Sequence, residues 1–259
     1  MTQTFTLITG ASEGIGKELA KCAAKDGRNV ILSARSEDKL NALADELKGT
    51  YEIEAVVIPA DLSKPEEADA LWTKATDGRV IDRLVNNAGL GSNGPFAEND
   101  WDRELAMINV NMVSLTLLMK RAVQDMVERD DGKILNVAST AAFIPGPKMA
   151  IYHATKAYVL YLSEAVAEEL EDTDVSVTAL CPGATRTDFF DGADMKNVRL
   201  VNMNMMAPAK DVAEAGWAAM RARRRIEVPG GMNKFFAFLP RIMPRFGVTK
   251  LVKQFYARN

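Results

Sequence analysis

The sequence predicts an open, doubly wound α/β sheet: one domain of parallel strands covered by helices on both faces. Strand-like apolar runs alternate with helix-period patterns from the first residues onward, and repeated β–α alternation builds a parallel sheet. The strand runs are rich in Val, Ile and Leu on both faces, as strands buried on two sides must be. No Pro/Ser/Gly-rich linker and no short internal repeat divides the 259 residues.

The elements follow in order. "FTLITG" reads as the first strand and Ile15 to Asp26 as the first helix. "NVILSAR" is the second strand, and "SEDKLNALADELKG" the second helix, with Gly49 as its stop. "IEAVVIPADL" and "RLVNNAG" read as strands, separated by a helix through Leu71 and Trp72. One long helical pattern spans roughly Asp100 to Glu128. Then come "KILNVAS", a helix from about Ile151 to Glu171, and "VSVTALCPG".

Composition removes several classes of function. A net charge of −3 gives no general case for nucleic-acid binding. Only 7% of residues are aromatic, so the core is expected to be aliphatic. Cys22 and Cys181 lie far apart in apolar patterns, which argues against a disulfide or a Cys-based metal site. His153 is the single histidine, which excludes paired-His zinc chemistry. No metal site is expected. Without a signal-peptide pattern or a long apolar span, a cytoplasmic protein with reduced cysteines is expected.

The stretch "LITGASEGIGKELA" places Gly10, Gly14 and Gly16 where a strand becomes a helix. Glycines there permit a tight turn and close approach of backbone to a pyrophosphate, and the helix N-terminus offers free N–H groups to it. The spacing is Gly-x-x-x-Gly-x-Gly, not the general Gly-x-Gly-x-x-Gly. "TGASEGIG" at Thr9–Gly16 resembles the glycine motif of the short-chain dehydrogenase/reductase family. Further matches follow in the family's order: "NNAG" at Asn86–Gly89, Asn111 in "NVNMVSL", Ser139 thirteen residues before Tyr152, the Tyr152-x-x-x-Lys156 pair, and "PGATRT" at Pro182–Thr187. The resemblance covers about residues 4–230. It implies a Rossmann-like sheet of strand order 3-2-1-4-5-6-7, with "IEVPGG" at Ile226–Gly231 as seventh strand.

The resemblance also implies roles. Tyr152 is the general acid in carbonyl reduction and the base in alcohol oxidation. Ser139 hydrogen-bonds the substrate oxygen, Lys156 also holds the nicotinamide ribose, and Asn111 positions a water in a proton relay. Gly10, Ser12, Glu13, Gly14, Ile15, Gly16, Asn87, Ala88, Gly89, Pro182, Gly183, Thr185 and Thr187 would contact the dinucleotide. Asp61 would bond the adenine amino group, with Leu62 beside it. Asn111 is preferred to its neighbour Asn109 by alignment with the family's Val-Asn step. The residue chemistry agrees: Tyr152 and Lys156, four apart, share one helix face, and a cation beside a phenol favours the phenolate. Bringing a phenol from ~10 to near neutrality takes roughly 4 kcal/mol. His153 projects differently and reads as a packing or surface residue.

Arg35 ends the second strand where an acidic residue would read the ribose of NAD, and an arginine there suits the 2′-phosphate of NADP. NADP(H) is therefore expected over NAD(H). Glu13 opposes this unless it swings to solvent or pairs with Arg35. Residues 188–211, with Phe189, Phe190, Met195, Met203, Met205 and Met206, correspond to the family's substrate lid; they fit either a hydrophobic substrate or a Met-rich packing segment.

From Val228 to Asn259 there is no acidic residue, and residues 232–259 form a basic amphipathic extension. It suits packing over the substrate entrance, contact with another subunit, or a peripheral anionic membrane surface. Arg221, Arg223, Arg224 and Arg225 read as a solvated helix end. By family analogy a homodimer or homotetramer is expected, meeting through the Asp100–Glu128 and Tyr152 helices. The expected activity is NADP(H)-dependent interconversion of a carbonyl and a secondary alcohol. A cofactor-binding sensor or scaffold without turnover is the alternative. An epimerase or dehydratase of the extended branch has different glycine spacing, and a methyltransferase leaves Tyr152 and Lys156 unexplained.

Overall fold

In the first strand, β1 (Thr4–Thr9), Phe5 and Leu7 enter one core layer and Ile8 the other, and all three are fully buried. This two-sided burial runs through a computed structural model that describes residues 3–189, 193 and 206–255. After β1 the chain forms α1 (Gly14–Lys25), β2 (Asn29–Ser33), α2 (Glu37–Thr50), β3 (Ala55–Val57), α3 (Pro65–Thr76) and β4 (Val80–Asn86). It continues through α4 (Trp101–Ile108), α5 (Leu115–Arg129), β5 (Gly132–Val137), α6 (Ala150–Glu169) and β6 (Val175–Leu180). Two short strands, β7 (Thr185–Arg186) and β8 (Ala207–Pro208), pair in parallel beside the main sheet. Helix α7 (Ala209–Arg221), β9 (Ile226–Glu227), α8 (Gly231–Phe238) and α9 (Arg245–Phe255) complete the described chain.

The seven-stranded sheet has the order β3-β2-β1-β4-β5-β6-β9, every pair parallel, as expected from the sequence. One core layer packs Phe5, Leu7, Leu84, Ile134 and Val177 against Leu71 and Trp72 of α3 and Leu118 and Met119 of α5. The other packs Ile8, Leu32, Val85 and Leu135 against Leu19 of α1, Leu40 of α2 and Trp217 of α7. Successive strands step away from β1 in one direction and from β4 in the other. A crevice therefore forms at their carboxyl ends, the place where such sheets bind ligands.

The structure departs from the expected elements at three points. The long helix is interrupted by a π-helical turn, Asn109–Ser114, between α4 and α5. Three side chains of that turn bond backbone outside the helix: Asn109 donates to Ser63 O (2.9 Å), Ser114 to Leu62 O (2.7 Å), and Asn111 to Leu90 O (3.0 Å). These tertiary bonds favour a widened turn that periodicity does not reveal. Gly49 does not stop α2; the helix runs through it to Thr50, and Tyr51 leaves in extended conformation. The seventh strand is two residues long, because Pro229 and Gly230 (φ +90°) turn the chain into α8. Cys22 and Cys181 are both free thiols, half-buried and buried respectively.

Ile134 is fully buried between its strand neighbours Leu84 and Val177. Ile134→Ala should lower the unfolding free energy by about 2–5 kcal/mol, read as a reduced urea midpoint at unchanged slope.

Candidate active site

The site begins with the turn between β1 and α1. Gly10 and Gly14 adopt φ of +62° and +56°, a left-handed backbone that L side chains rarely take. A Cβ on Gly10 would lie 2.9 Å from Ala88 Cα, and one on Gly16 would lie 2.2 Å from Gly10 O. Hydrogen bonds strap this turn to the end of β4. Thr9 Oγ1 accepts from Asn87 N (3.0 Å) and Ala88 N (3.1 Å), while Asn87 Nδ2 donates to Thr9 O and Gly10 O, each at 3.0 Å. At the N-cap of α1, Glu13 makes no side-chain capping bond. The first-turn N–H groups are thus left without a side-chain cap, and they and the helix dipole favour an anion.

Above the turn lies a cleft of about 750 Å³. Its walls include Gly10, Ser12, Glu13, Gly14 and Ile15 from the turn and Arg35 after β2. Asp61 and Leu62 after β3, and Asn87, Ala88 and Gly89 after β4, continue the wall. Ser139, Tyr152, Lys156, Pro182, Gly183, Thr185 and Thr187 complete the set. Of the residues singled out in the sequence, Gly16 and Asn111 stand behind this wall. Gly16 permits the tight packing of α1, and Asn111 is fully buried, accepting from Leu90 N (2.9 Å) and donating to Thr155 Oγ1 (3.0 Å).

Cleft size and the glycine cradle fit an extended dinucleotide, which Arg35 and Asp61, the turn, and Lys156 with the Pro182–Thr187 segment would hold. Burial works against the charge of Asp61, but hydrogen bonds from Ser63 outweigh it, and nearby Arg35 adds to them, so the carboxyl sits below its ordinary range. Glu13 pairs with Lys39 Nζ at 2.8 Å, not with Arg35.

Tyr152 and Lys156 come from one face of α6 and are nearly inaccessible, 9% and 4% exposed. Lys156 Nζ donates to Val137 O at 2.9 Å and lies 5.8 Å from the centre of the Tyr152 ring. A Cβ on Gly89 would be 3.4 Å from the same ammonium. Burial pushes the Tyr152 phenol up to about 12, against the opposing effect of its hydrogen bond with Ser139. Burial likewise pushes Lys156 down to about 8. The lysine-depressed phenol expected from the sequence is therefore not the balance found here. Both groups are desolvated, and the ammonium is directed at a carbonyl, so burial prevails over charge attraction. Ser139 Oγ accepts from Ala141 N at 3.1 Å, which fixes it at the head of a short 3₁₀ turn.

His153 is a buried packing residue. Its Nδ1 lies 2.7 Å from Ile144 O, its ring fills the space at Gly146, and burial lowers its pKa. The mouth of the cleft is apolar: Phe189 lies 5.4 Å from Tyr152, ring centre to ring centre, and Phe236, Leu239, Pro240, Val248 and Val252 line the wall. The C-terminal segment thus forms part of the cleft wall. Phe190, Met195, Met203 and Met205 lie outside the described residues; Phe189 and Met206 pack in a cluster with Tyr152.

Sequence reasoning passed over four contributors. Thr9 opens the glycine motif and was legible as its first residue; Thr155 lies between Tyr152 and Lys156 on α6. Lys39 and Asn233 carry no local signal. Asn233 reaches the site only because α8 folds back, so that a Cβ on Gly183 would be 2.4 Å from Asn233 Oδ1.

Residues 4–197 match the family model described as short chain dehydrogenase. The 7beta-hydroxysteroid dehydrogenase of Mediterraneibacter gnavus is 37% identical over 181 residues, covering 70% of this chain and 68% of that protein. A solved 7beta-hydroxysteroid dehydrogenase aligns with TM-score 0.87 and 28% identity over 96% of both chains. A short-chain dehydrogenase from Sphingobium yanoikuyae, in complex with NADPH, aligns with TM-score 0.84 and 29% identity over 99% of both. The chain belongs to the short-chain dehydrogenase/reductase family. It is an oxidoreductase that acts on CH–OH groups with NAD(P) as acceptor.

Thr9→Val keeps the side-chain shape but leaves the Asn87 and Ala88 N–H groups without their acceptor. The variant should lose about 1–3 kcal/mol of stability and bind NADPH more weakly, with Thr9→Ser restoring both; thermal unfolding and fluorescence titration read the two effects.

Proposed function

We propose that this protein is an NADP(H)-preferring oxidoreductase interconverting bulky apolar ketones and secondary alcohols. The observation that carries the cofactor preference is Arg35 in the cleft wall, with the opposing Glu13 carboxylate already paired to Lys39. The guanidinium is then available for charge-assisted bonds to a 2′-phosphate. The NADPH complex of the Sphingobium yanoikuyae enzyme supports the reading. The apolar mouth, and the steroid alcohol named for the Mediterraneibacter gnavus relative, support a large lipophilic substrate.

Bound nicotinamide supplies the hydride for reduction and accepts it in oxidation. In reduction Tyr152 gives its phenolic proton to the carbonyl oxygen, and Ser139 hydrogen-bonds that oxygen. Lys156 stabilises the phenolate that results, through a dry cleft in which its charge is weakly screened. Asn111, held through Leu90 and Thr155, keeps the backbone beneath Tyr152 in place. In oxidation Tyr152 acts as the base.

We further infer a homodimer or homotetramer. A shallow apolar groove lined by Met112, Val113, Leu117 and Tyr158, with Tyr161 68% exposed nearby on α6, supports association through α5 and α6. Two free thiols support a reducing, cytoplasmic setting.

Tyr152→Phe should lower kcat for ketone reduction by about 10²–10⁴-fold while NADPH still binds; a sensor without turnover predicts no such activity to lose. Arg35→Leu should weaken NADPH by about 10–150-fold relative to NADH, measured by titrating both cofactors. Because burial holds the phenol protonated, with a pKa of about 12, kcat/KM for reduction should not rise with pH. For oxidation it should climb with near-unit slope below about pH 8 and flatten above it, where Lys156 loses the charge that stabilises the phenolate. Parallel profiles in the two directions would contradict the acid–base role.

A further inference from the structure

The outer face of the C-terminal segment has no function in the scheme above. Met232, Phe235, Phe238 and Ile242 are 57%, 54%, 52% and 64% exposed. Their spacings of three and four residues put successive members on adjacent turns of α8 and the 3₁₀ turn after it. The inner face of the same stretch, Phe236, Leu239 and Pro240, lines the cleft mouth. One short amphipathic unit therefore divides the active-site entrance from an exposed apolar ridge.

The stretch of chain that carries this ridge is basic. No acidic residue occurs from Val228 onward. Lys234, Arg241, Lys250 and Lys253 are exposed, and none forms an ion pair with a described residue. An exposed apolar ridge on a basic stretch of chain is the chemistry of an interfacial anchor: apolar groups enter the acyl boundary while cations meet anionic headgroups. A second copy of the chain is a poorer occupant, because a two-fold contact sets the same patch against itself and would oppose cation to cation.

We propose that α8 and the turn after it seat the protein peripherally on an anionic lipid bilayer, with the cleft directly behind them. Lipophilic substrate then enters from the bilayer, where it is concentrated. This adds a route of delivery to the apolar-substrate reading but is tested without turnover, so its failure leaves the oxidoreductase reading intact.

The test is co-sedimentation of the intact protein with vesicles of phosphatidylcholine mixed with phosphatidylglycerol, and with phosphatidylcholine alone. Binding to the mixed vesicles is expected at low salt, with release near 0.5 M salt, where the screening length falls to about 4 Å. Lys234→Glu/Arg241→Glu should lower the partition coefficient by about tenfold or more. Phe235→Ser/Phe238→Ser/Ile242→Ser should abolish binding while NADPH affinity, which reports folding, is kept. No binding of the intact protein to mixed vesicles would overturn the proposal, as would equal binding to both compositions. A triple variant that sediments with vesicles as before but loses oligomeric mass would assign the ridge to a contact between copies and would equally overturn it.

Discussion

The close approach of the β1–α1 turn to the end of β4 governs the rest of the molecule. Gly10 and Gly16 leave no room for a side chain between the turn, Ala88 and Asn87. Thr9 and Asn87 convert that proximity into four hydrogen bonds. The bonds join two strands at the switch point of the sheet, so the crevice floor is fixed by backbone instead of by mobile side chains. Everything that reaches into the cleft, from Arg35 after β2 to Thr185 after β6, is measured from this floor. The same strap places Gly89 against the Lys156 ammonium, linking the phosphate end of the cradle to the proton chemistry.

Dryness is the second constraint. Tyr152 and Lys156 are shifted in opposite directions by a shared cause, loss of water, and each is moved toward its neutral form. A neutral phenol beside a lysine that still carries its charge at neutral pH suits the proton-donor role proposed for Tyr152. Phe189 packs against the Tyr152 ring, and the C-terminal segment adds apolar residues to the cleft wall. Cys181, pushed up to about 12 by burial in the same region, stays a thiol and adds no competing nucleophile.

The sheet was legible because its strands are buried on both faces and so repeat Val, Ile and Leu between turn residues; the order β3-β2-β1-β4-β5-β6-β9 was implied by the family resemblance. The cleft residues were legible for a related reason: those that line the cleft with backbone or short side chains cluster at strand ends, as in Thr9–Gly16 and Asn86–Gly89. What stayed hidden depends on contacts remote in sequence. The π-helical turn at Asn109–Ser114 arises from bonds to Leu62, Ser63 and Leu90. The pairing of Glu13 with Lys39 spans twenty-six residues. Asn233 meets Gly183 across fifty residues of chain. The desolvation of Tyr152 was hidden too, because a sequence shows the neighbouring cation but not the water that folding removes.

The division of labour between a cofactor that carries hydride and a tyrosine that carries only a proton is the centre of this account. It is tested most directly by reducing a bulky apolar ketone with NADPH deuterated at the transferable C4 position and locating the label by NMR. The account predicts deuterium on the carbinol carbon of the product, and none on that carbon when unlabelled NADPH is used in D₂O. Label absent from the carbinol carbon in the first experiment, or incorporated there from solvent in the second, would contradict it.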